Sequence, residues 1–337
     1  MGVNLGSLIK SREISIEELS GKTLAVDASM WIHQFLSSIR APDGTLFCNK
    51  EGKVTSHLIG LSSRIANLLE ANIKLVFCFD GRPPELKKAE QEKRTALREE
   101  AMKHYKEAIE KGEVEEARKY AMRTTTLSDE IIESAKEVIS AFGLPVIQAP
   151  QEADAQAAYL VKQNLAFAVS TNDYDALLFG ARRMVKNLSI MSKKVVRGKR
   201  ITINPEIILL KEVLEELEIN QDQLIVLGIL IGTDYNPGGV KGIGPKTAIE
   251  LVRRFKLDFD ALFKEVGWDS KCPVPWQEVY NVFKKMPVEK NFLIEFKEPK
   301  KEKIEKILID KYGFSEERVK KIVEKVVKKQ KGLEKWL

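Results

Sequence analysis

The chain has 337 residues, 44% of them hydrophobic, with 55 basic against 49 acidic side chains and a formal charge of +6. That size and apolar content exclude a disordered chain and allow one large α/β domain or two tightly joined ones. With no apolar signal segment and no run near ~18 apolar residues, the expectation is a soluble intracellular protein, cytoplasmic or nucleoid, with no membrane partner. Cys48, Cys78 and Cys272 are odd in number and scattered, which fits a reducing interior. His33, His57 and His104 are too few for a zinc site of His and Cys type, so an all-oxygen site for Mg²⁺ or Mn²⁺ is the favoured metal chemistry.

The first apolar run, 23–26, is short and ends at Asp27; a second, 74–79, ends at Asp80. Such runs read as buried strands of a parallel sheet, with helices between them placed on both faces by the right-handed crossover rule. Gly81-Arg82-Pro83-Pro84 is a rigid turn. From about 85 to 119 Lys and Glu alternate at spacings that allow i,i+4 pairs, which predicts a helix polar nearly all round that projects from the domain. The stretch 128–142 is more amphipathic, with Ile131, Ile132, Ala135, Val138 and Ile139 on one side. A strand over 144–148 and a helix over 152–163 follow, then a strand over 166–170 that leads to Asp173 and Asp175. Two β-branched runs around Arg197-Gly198-Lys199-Arg200 predict a β-hairpin over 191–203.

An apolar helix over 223–231 ends in Gly232-Thr233-Asp234-Tyr235. The glycines from Gly238 to Gly244 then allow a tight turn into a new helix whose free N–H groups can hold a phosphate. Gly-x-Gly also suits a plain C-cap to N-cap turn; Lys241, Lys246, Arg253 and Arg254 around it favour a DNA-backbone site. The C-terminal stretch is rich in Lys and Glu with helical spacing. Trp336 and Leu337, beyond a polar helix, read as a docking peptide rather than core.

Asp27, Asp80, Glu152, Asp154, Asp173, Asp175 and Asp234 thus nearly all stand where an apolar run breaks off. A carboxylate at the edge of a core is costly unless a hard cation offsets it. Each alone is equally a helix cap or turn former. As a set they ask for such a cation, and Asp27, Asp80, Asp173 and Asp175, at the strand C-termini of an open α/β sheet, would come together at one ligand-binding edge.

These residues carry a resemblance to a family. Val26-Asp27-Ala28-Ser29, Phe79-Asp80-Gly81-x-Pro83-Pro84, Ala149-Pro150-x-Glu152-Ala153-x-Ala155-x-Ala157, Asp173-Tyr174-Asp175 and Gly232-Thr233-Asp234-Tyr235 with its glycine turn resemble, in order and along the whole chain, the archaeal flap endonucleases of the structure-specific 5′ nuclease superfamily. The resemblance implies a mostly parallel twisted sheet flanked by helices, a PIN-like nuclease core, forming a nuclease domain over 1–326. It also implies a helical arch at about 81–142, a helix-hairpin-helix module at about 222–258 and a sliding-clamp-binding tail at 327–337. The implied activity is 5′ flap endonuclease, with 5′-3′ exonuclease, acting as a monomer on branched DNA in Okazaki fragment maturation and repair.

Carried over residue by residue, Asp80, Glu152 and Asp154 are expected to hold one Mg²⁺ with Asp27 in support, and Asp173, Asp175 and Asp234 a second, Mn²⁺ being able to substitute. Two such cations, roughly 3.5 to 4 Å apart, suit in-line phosphodiester hydrolysis. Lys87 and Arg94, seven apart and so on one helix face, are expected to face the scissile phosphate. Gly2, His33, Thr55 and Arg64 match DNA-contacting positions, as do Glu152, Gly232 and Asp234. Gly242, Gly244 and Lys246 match a hairpin that coordinates a monovalent cation, K⁺, against a DNA phosphate. Gln330, Leu333, Trp336 and Leu337 match the clamp-binding peptide. Three departures stand out. His33 replaces the family's usual stacking Tyr and carries charge below about pH 6.5; Asp154 replaces a Glu one methylene longer; the tail ends in Trp-Leu rather than two aromatics. A nuclease for gaps, bubbles or four-way junctions is the enzymatic alternative, and a non-catalytic DNA-binding scaffold, which would have lost acids, is the other.

Overall fold

The computed structural model describes residues 2–190, 193–196 and 199–327. In chain order its elements are β1 (Arg12–Glu13), β2 (Thr23–Asp27), α1 (Ala28–Ser38), α2 (Ser56–Glu70), β3 (Lys74–Phe79), α3 (Lys88–Glu110), α4 (Val114–Ala121), α5 (Asp129–Ala141), β4 (Val146–Gln148), α6 (Ala153–Lys162), β5 (Ala168–Ser170), α7 (Asp175–Leu178), β6 (Arg183–Lys186), β7 (Lys193–Val196), β8 (Lys199–Thr202) and β9 (Glu206–Leu209). Then come α8 (Leu210–Glu216), α9 (Gln221–Ile231), α10 (Pro245–Phe255), α11 (Phe259–Glu265), α12 (Trp268–Lys271), α13 (Trp276–Lys285), α14 (Lys301–Glu305) and α15 (Glu316–Val327).

Seven strands form one mixed, mostly parallel sheet in the order β1-β9-β6-β5-β2-β3-β4. From β6 to β4 every neighbouring pair is parallel, and β9 runs antiparallel to both β6 and β1. The chain moves outward from β2 through β3 to β4, then returns to the other side of β2 at β5. The reversal between β2 and β5 is the switch point at which an open α/β sheet leaves a crevice at its strand C-termini.

Both faces of the central strands are buried, as strands covered by helices require. Leu24, Val26, Leu75, Phe77 and Phe79 face one core with α1, α2, α5 and α15, where Trp31 meets Phe77 edge-on at 5.8 Å. Ala25, Val76 and Cys78 face the other, with α6, α9, α10 and α13, where Phe179, Tyr235 and Phe283 cluster. The β7–β8 pair is antiparallel, as the hairpin expectation required; the tip of its turn lies outside the described residues.

Three expectations change. The charged stretch from 85 is not one helix: a short 3-10 turn, Glu85–Lys87, leads into α3, and α4 folds back along it after the turn at 111–113. The two helices close on Ala101, Ala108, Ala117 and Ala121, small side chains whose burial leaves both outer surfaces charged. The stretch assigned to the arch up to 142 is also too long, because α5 buries Ile131, Ala135, Val138 and Ile139 in the sheet's core. Finally, α15 is amphipathic rather than polar and packs Val319, Ile322, Val323 and Val326 into the same core.

Candidate active site

The seven acids are set by five chain segments around the switch point. Asp27 is the last residue of β2 and the N-cap of α1, its Oδ1 accepting from the Met30 N–H at 3.0 Å. The capping alternative is therefore true of Asp27, and it leaves Oδ2 outside the cap. Asp80 follows β3; its Oδ1 accepts from the Ala153 N–H at 2.7 Å, which joins it to the start of α6 beside Glu152 and Asp154. Gly81 makes this junction possible, since a Cβ there would overlap the carbonyls of Ala149 and Pro150. Asp173 and Asp175 follow β5. Asp173 Oδ2 accepts from the Gly2 N–H at 2.7 Å and Asp175 Oδ1 from the Val3 N–H at 2.8 Å, so the N-terminal backbone lies on this pair. A Cβ at Gly2 would overlap Asp173 Oδ1. Asp234 sits just beyond the C-cap of α9.

Two cations reach in from the other side. Lys87 Nζ donates to Glu152 Oε2 at 2.6 Å and lies 3.4 Å from Asp234 Oδ2. Arg94 Nη2 donates to the same Asp234 oxygen at 2.6 Å, while its Nε is held at 2.9 Å by Glu90 one turn earlier. The Lys87 side chain is only 16% exposed, which removes most of the solvent screening that makes surface ion pairs weak.

The electrostatics follow from burial and crowding. Burial, then the charge of Asp80, raises the Asp27 carboxyl to about 8. Burial and neighbouring acids raise Asp154 and Asp175 well above the carboxylate range, with Asp27 and Asp173 the chief neighbours of Asp154, and Asp173 that of Asp175. Glu152 is also raised, by burial ahead of the opposing Lys87. Lys87, despite its own burial, is pushed up by Glu152 and Asp234. The two directions are compatible, because Glu152 has Asp80 and Asp234 near it as well as the lysine. Burial would raise Asp234, but surrounding positive charge, Lys87 and Arg94 included, holds it below its usual value.

Among the described residues, no three His, Cys, Asp or Glu side chains converge at ligand spacing. The chemistry of the set nevertheless fits hard divalent cations. Every donor is a carboxylate oxygen, the raised acids repel one another, and Asp154 Oδ1 is buried with no hydrogen-bond partner. Asp80, Glu152, Asp154 and Asp27 could hold one such ion, and Asp173, Asp175 and Asp234 a second.

The other expected residues divide. His33, on α1, has its imidazolium disfavoured first by enclosure and then by Arg94 and Arg98. Its charge therefore appears only below the pH 6.5 assumed from sequence, and the ring is neutral at pH 7. Thr55 is buried at the start of α2 and its hydroxyl donates to the Phe47 carbonyl at 3.2 Å, which leaves the hydroxyl oxygen as its acceptor toward a ligand. Arg64 is half-buried, with Nε bonded to the Leu188 carbonyl; burial lowers its guanidinium to about 10, still cationic at pH 7. Gly232, Gly242, Gly244 and Lys246 lie on or around the turn between α9 and α10, with Lys241 and Lys246 exposed. Gln330, Leu333, Trp336 and Leu337 lie outside the described residues.

Sequence reasoning missed Glu90, whose i,i+4 spacing to Arg94 was a usable signal. It missed the Val3 amide and Gln148, whose Nε2 donates to the Asp80 carbonyl at 2.6 Å. Nothing in a single sequence marks a backbone donor, so the Val3 amide had no signal.

Residues 1–101 match the XPG N-terminal domain and residues 143–234 the XPG I-region. The chain is 48% identical to flap endonuclease 1 of Pyrococcus furiosus, across 100% of this chain and 99% of that one. Among solved structures, flap endonuclease-1 from Methanococcus jannaschii aligns with a TM-score of 0.75 at 42% identity, covering 96% of this chain and 98% of the other. The catalytic core of Rad2 in complex with DNA substrate aligns with a TM-score of 0.68 at 26% identity, covering 96% and 99%.

Proposed function

The chain belongs to the flap endonuclease family, and from that premise we infer that its acid cluster is where it cleaves branched DNA. It is a structure-specific 5′ flap nuclease, a DNA-cleaving hydrolase of replication and repair. Nucleases of this family use divalent metal ions. What is proposed here is the assignment to this chain: Mg²⁺ as the ion, two per site with Mn²⁺ able to substitute, the seven acids as its holders, and 5′-3′ exonuclease as an accompanying activity.

The observation that carries the assignment is the meeting of carboxylates from distant segments at one sheet edge, with Lys87 and Arg94 aimed at them. Bound divalent ions would supply Lewis acidity and an activated water for attack on the phosphodiester. The remaining work belongs to the chain. Lys87 and Arg94 neutralise the phosphate as charge develops on its oxygens. The Gly2 and Val3 amides fix the rotamers of Asp173 and Asp175, and the Ala153 amide fixes Asp80. Burial keeps these acids dry and so strengthens every charge interaction at the reacting centre.

α3 and α4 are proposed as the arch through which single-stranded flap passes, ending near 126. The α9–α10 turn, with Gly232, Gly242, Gly244, Lys241 and Lys246, is proposed to grip the duplex backbone, with K⁺ between its carbonyls and a phosphate; recognition there is by shape rather than base sequence. His33 would stack on a base as a neutral ring, and Arg64 would face the duplex. The nuclease domain is taken as 1–326, acting as a monomer, and 327–337 as the segment that docks on a sliding clamp.

End-labelled double-flap, gapped and blunt duplex DNA, incubated with Mg²⁺ or with chelator, test the reading. Cleavage is expected to be strongest on the flap, with only weak exonucleolytic release from the gapped and blunt ends, and only with Mg²⁺; equal cutting of all three, or cutting in chelator, would overturn it.

A further inference from the structure

The ion pairs of Lys87 and Arg94 occupy oxygens that the acids would need for any other cation. One lysine spans the two sides of the cluster, with Glu152 at 2.6 Å and Asp234 at 3.4 Å, and Arg94 takes the same Asp234 oxygen at 2.6 Å. Lys87 precedes α3 by one residue and Arg94 lies in its second turn, so both bonds tie the start of this helix to the sheet edge. Beyond that point α3 packs chiefly on α4 and on the turn after it. The hairpin's outer surfaces carry exposed Leu97, Met102, Ile109 and Val114 among charged residues. Its attachment on the α3 side therefore runs through these charged contacts together with one partly buried apolar side chain, Leu86, packed on the core just before Lys87. On the other side Arg40 of the α1 end donates to Thr125 Oγ1 at 2.9 Å and to the Gly44 carbonyl at 2.8 Å, which fixes the second foot independently of the acids.

We propose that Lys87 and Arg94 form a cation-operated latch: in the divalent-free protein they stand in for the metal and hold the α3–α4 hairpin down on the acid cluster. Divalent ions, by taking Glu152 and Asp234, free both side chains and the first turns of α3. The inference rests on the assignment of the acids as divalent-ion holders. It adds that the ion has a role before chemistry, releasing the helix that must admit single-stranded DNA and turning its two cations from protein oxygens toward phosphate oxygens. No side chain is consumed in the exchange, since one set of positive charges replaces another on the same oxygens. A ligand that binds only the unlatched state shifts the equilibrium by its preference for that state, and its apparent affinity is reduced by the fraction of protein that is latched.

Two measurements without DNA test this. Hydrogen exchange of residues 82–100 should speed up several-fold when Ca²⁺ or Mg²⁺ is added to metal-free protein and not when NaCl of equal ionic strength is added, while residues 129–141 stay protected. Titration calorimetry should show K87M with R94M binding Mg²⁺ roughly tenfold tighter than the unsubstituted chain, because no competitor holds the oxygens. Unchanged exchange in a protein that binds Mg²⁺, or equal or weaker Mg²⁺ binding by the double variant, would overturn the latch and leave the acid assignment standing. No Mg²⁺ binding by the unsubstituted chain would overturn both.

Discussion

Asp154 Oδ1 is enclosed by protein and meets no donor, and the nearest carboxylates raise its pKa further. D154N keeps the volume and removes one of the mutually repelling charges. In chelator it should melt about 2 °C higher, on the order of 1 kcal/mol, while losing about a hundredfold or more in flap cleavage. The pH dependence has a definite sign. Asp27, Asp154 and Asp175 have folded pKa values raised above their unfolded ones, so the folded state binds more protons, and their contribution is fully present below the unfolded values near ~4 and lost as pH rises. Their part of the metal-free stability should therefore be lost between about pH 4 and about pH 8, the folded value of Asp27, so the gain in melting temperature on adding Mg²⁺ should be larger at pH 8 than at pH 5. Thermal melts with and without chelator across that range check it; a gain that stays flat or shrinks as pH rises would refute the picture of crowded acids. Gly2 gives a second residue-scale expectation. G2A places a methyl group against Asp173, so the Gly2 and Val3 bonds to the acid pair should break, with a roughly tenfold fall in cleavage rate at unchanged flap affinity.

At the scale of elements, period and punctuation were legible wherever burial decides them. The runs ending at Asp27, Asp80 and Ser170 are strands because both faces are covered, and the glycine turn before α10 takes the positive φ that Gly238, Gly239 and Gly242 allow. What stayed hidden was the break at 111–113 in the charged stretch. Lys and Glu continue on both sides of it, and the contacts that pair α3 with α4 are alanines, which carry no strong periodic signal. A117K puts a charge at a fully buried position of that seam. It should raise hydrogen exchange through 88–121 while leaving the main melting transition within about 1 °C, since the hairpin opens as a local unit. The reach of the site was legible in part: Asp27, Asp80, Asp173 and Asp175 were named from strand ends, and Glu152, Asp154 and Asp234 from helix ends and the family motifs. The partner of Thr55 was not, because its bond to the Phe47 carbonyl depends on a neighbouring loop that no local pattern specifies.

For the whole molecule, the sheet separates two cores whose helices come from both ends of the chain. α15 seals the α1–α2–α5 side, with Val326 its last buried contact among the described residues. Removing residues 328–337 should therefore leave the melting temperature and basal flap cleavage unchanged, while stimulation by a sliding clamp is lost. Persisting stimulation would place the clamp contact elsewhere. The Gly2 and Val3 amides meet acids 171 and 172 residues further along, and Asp234 comes later still. A ribosome making this protein thus exposes the first strands and the α3–α4 hairpin long before the acids can meet. A nuclease that cuts at exposed strand junctions stays harmless during its own synthesis, because its earliest residues must wait for some of its later ones.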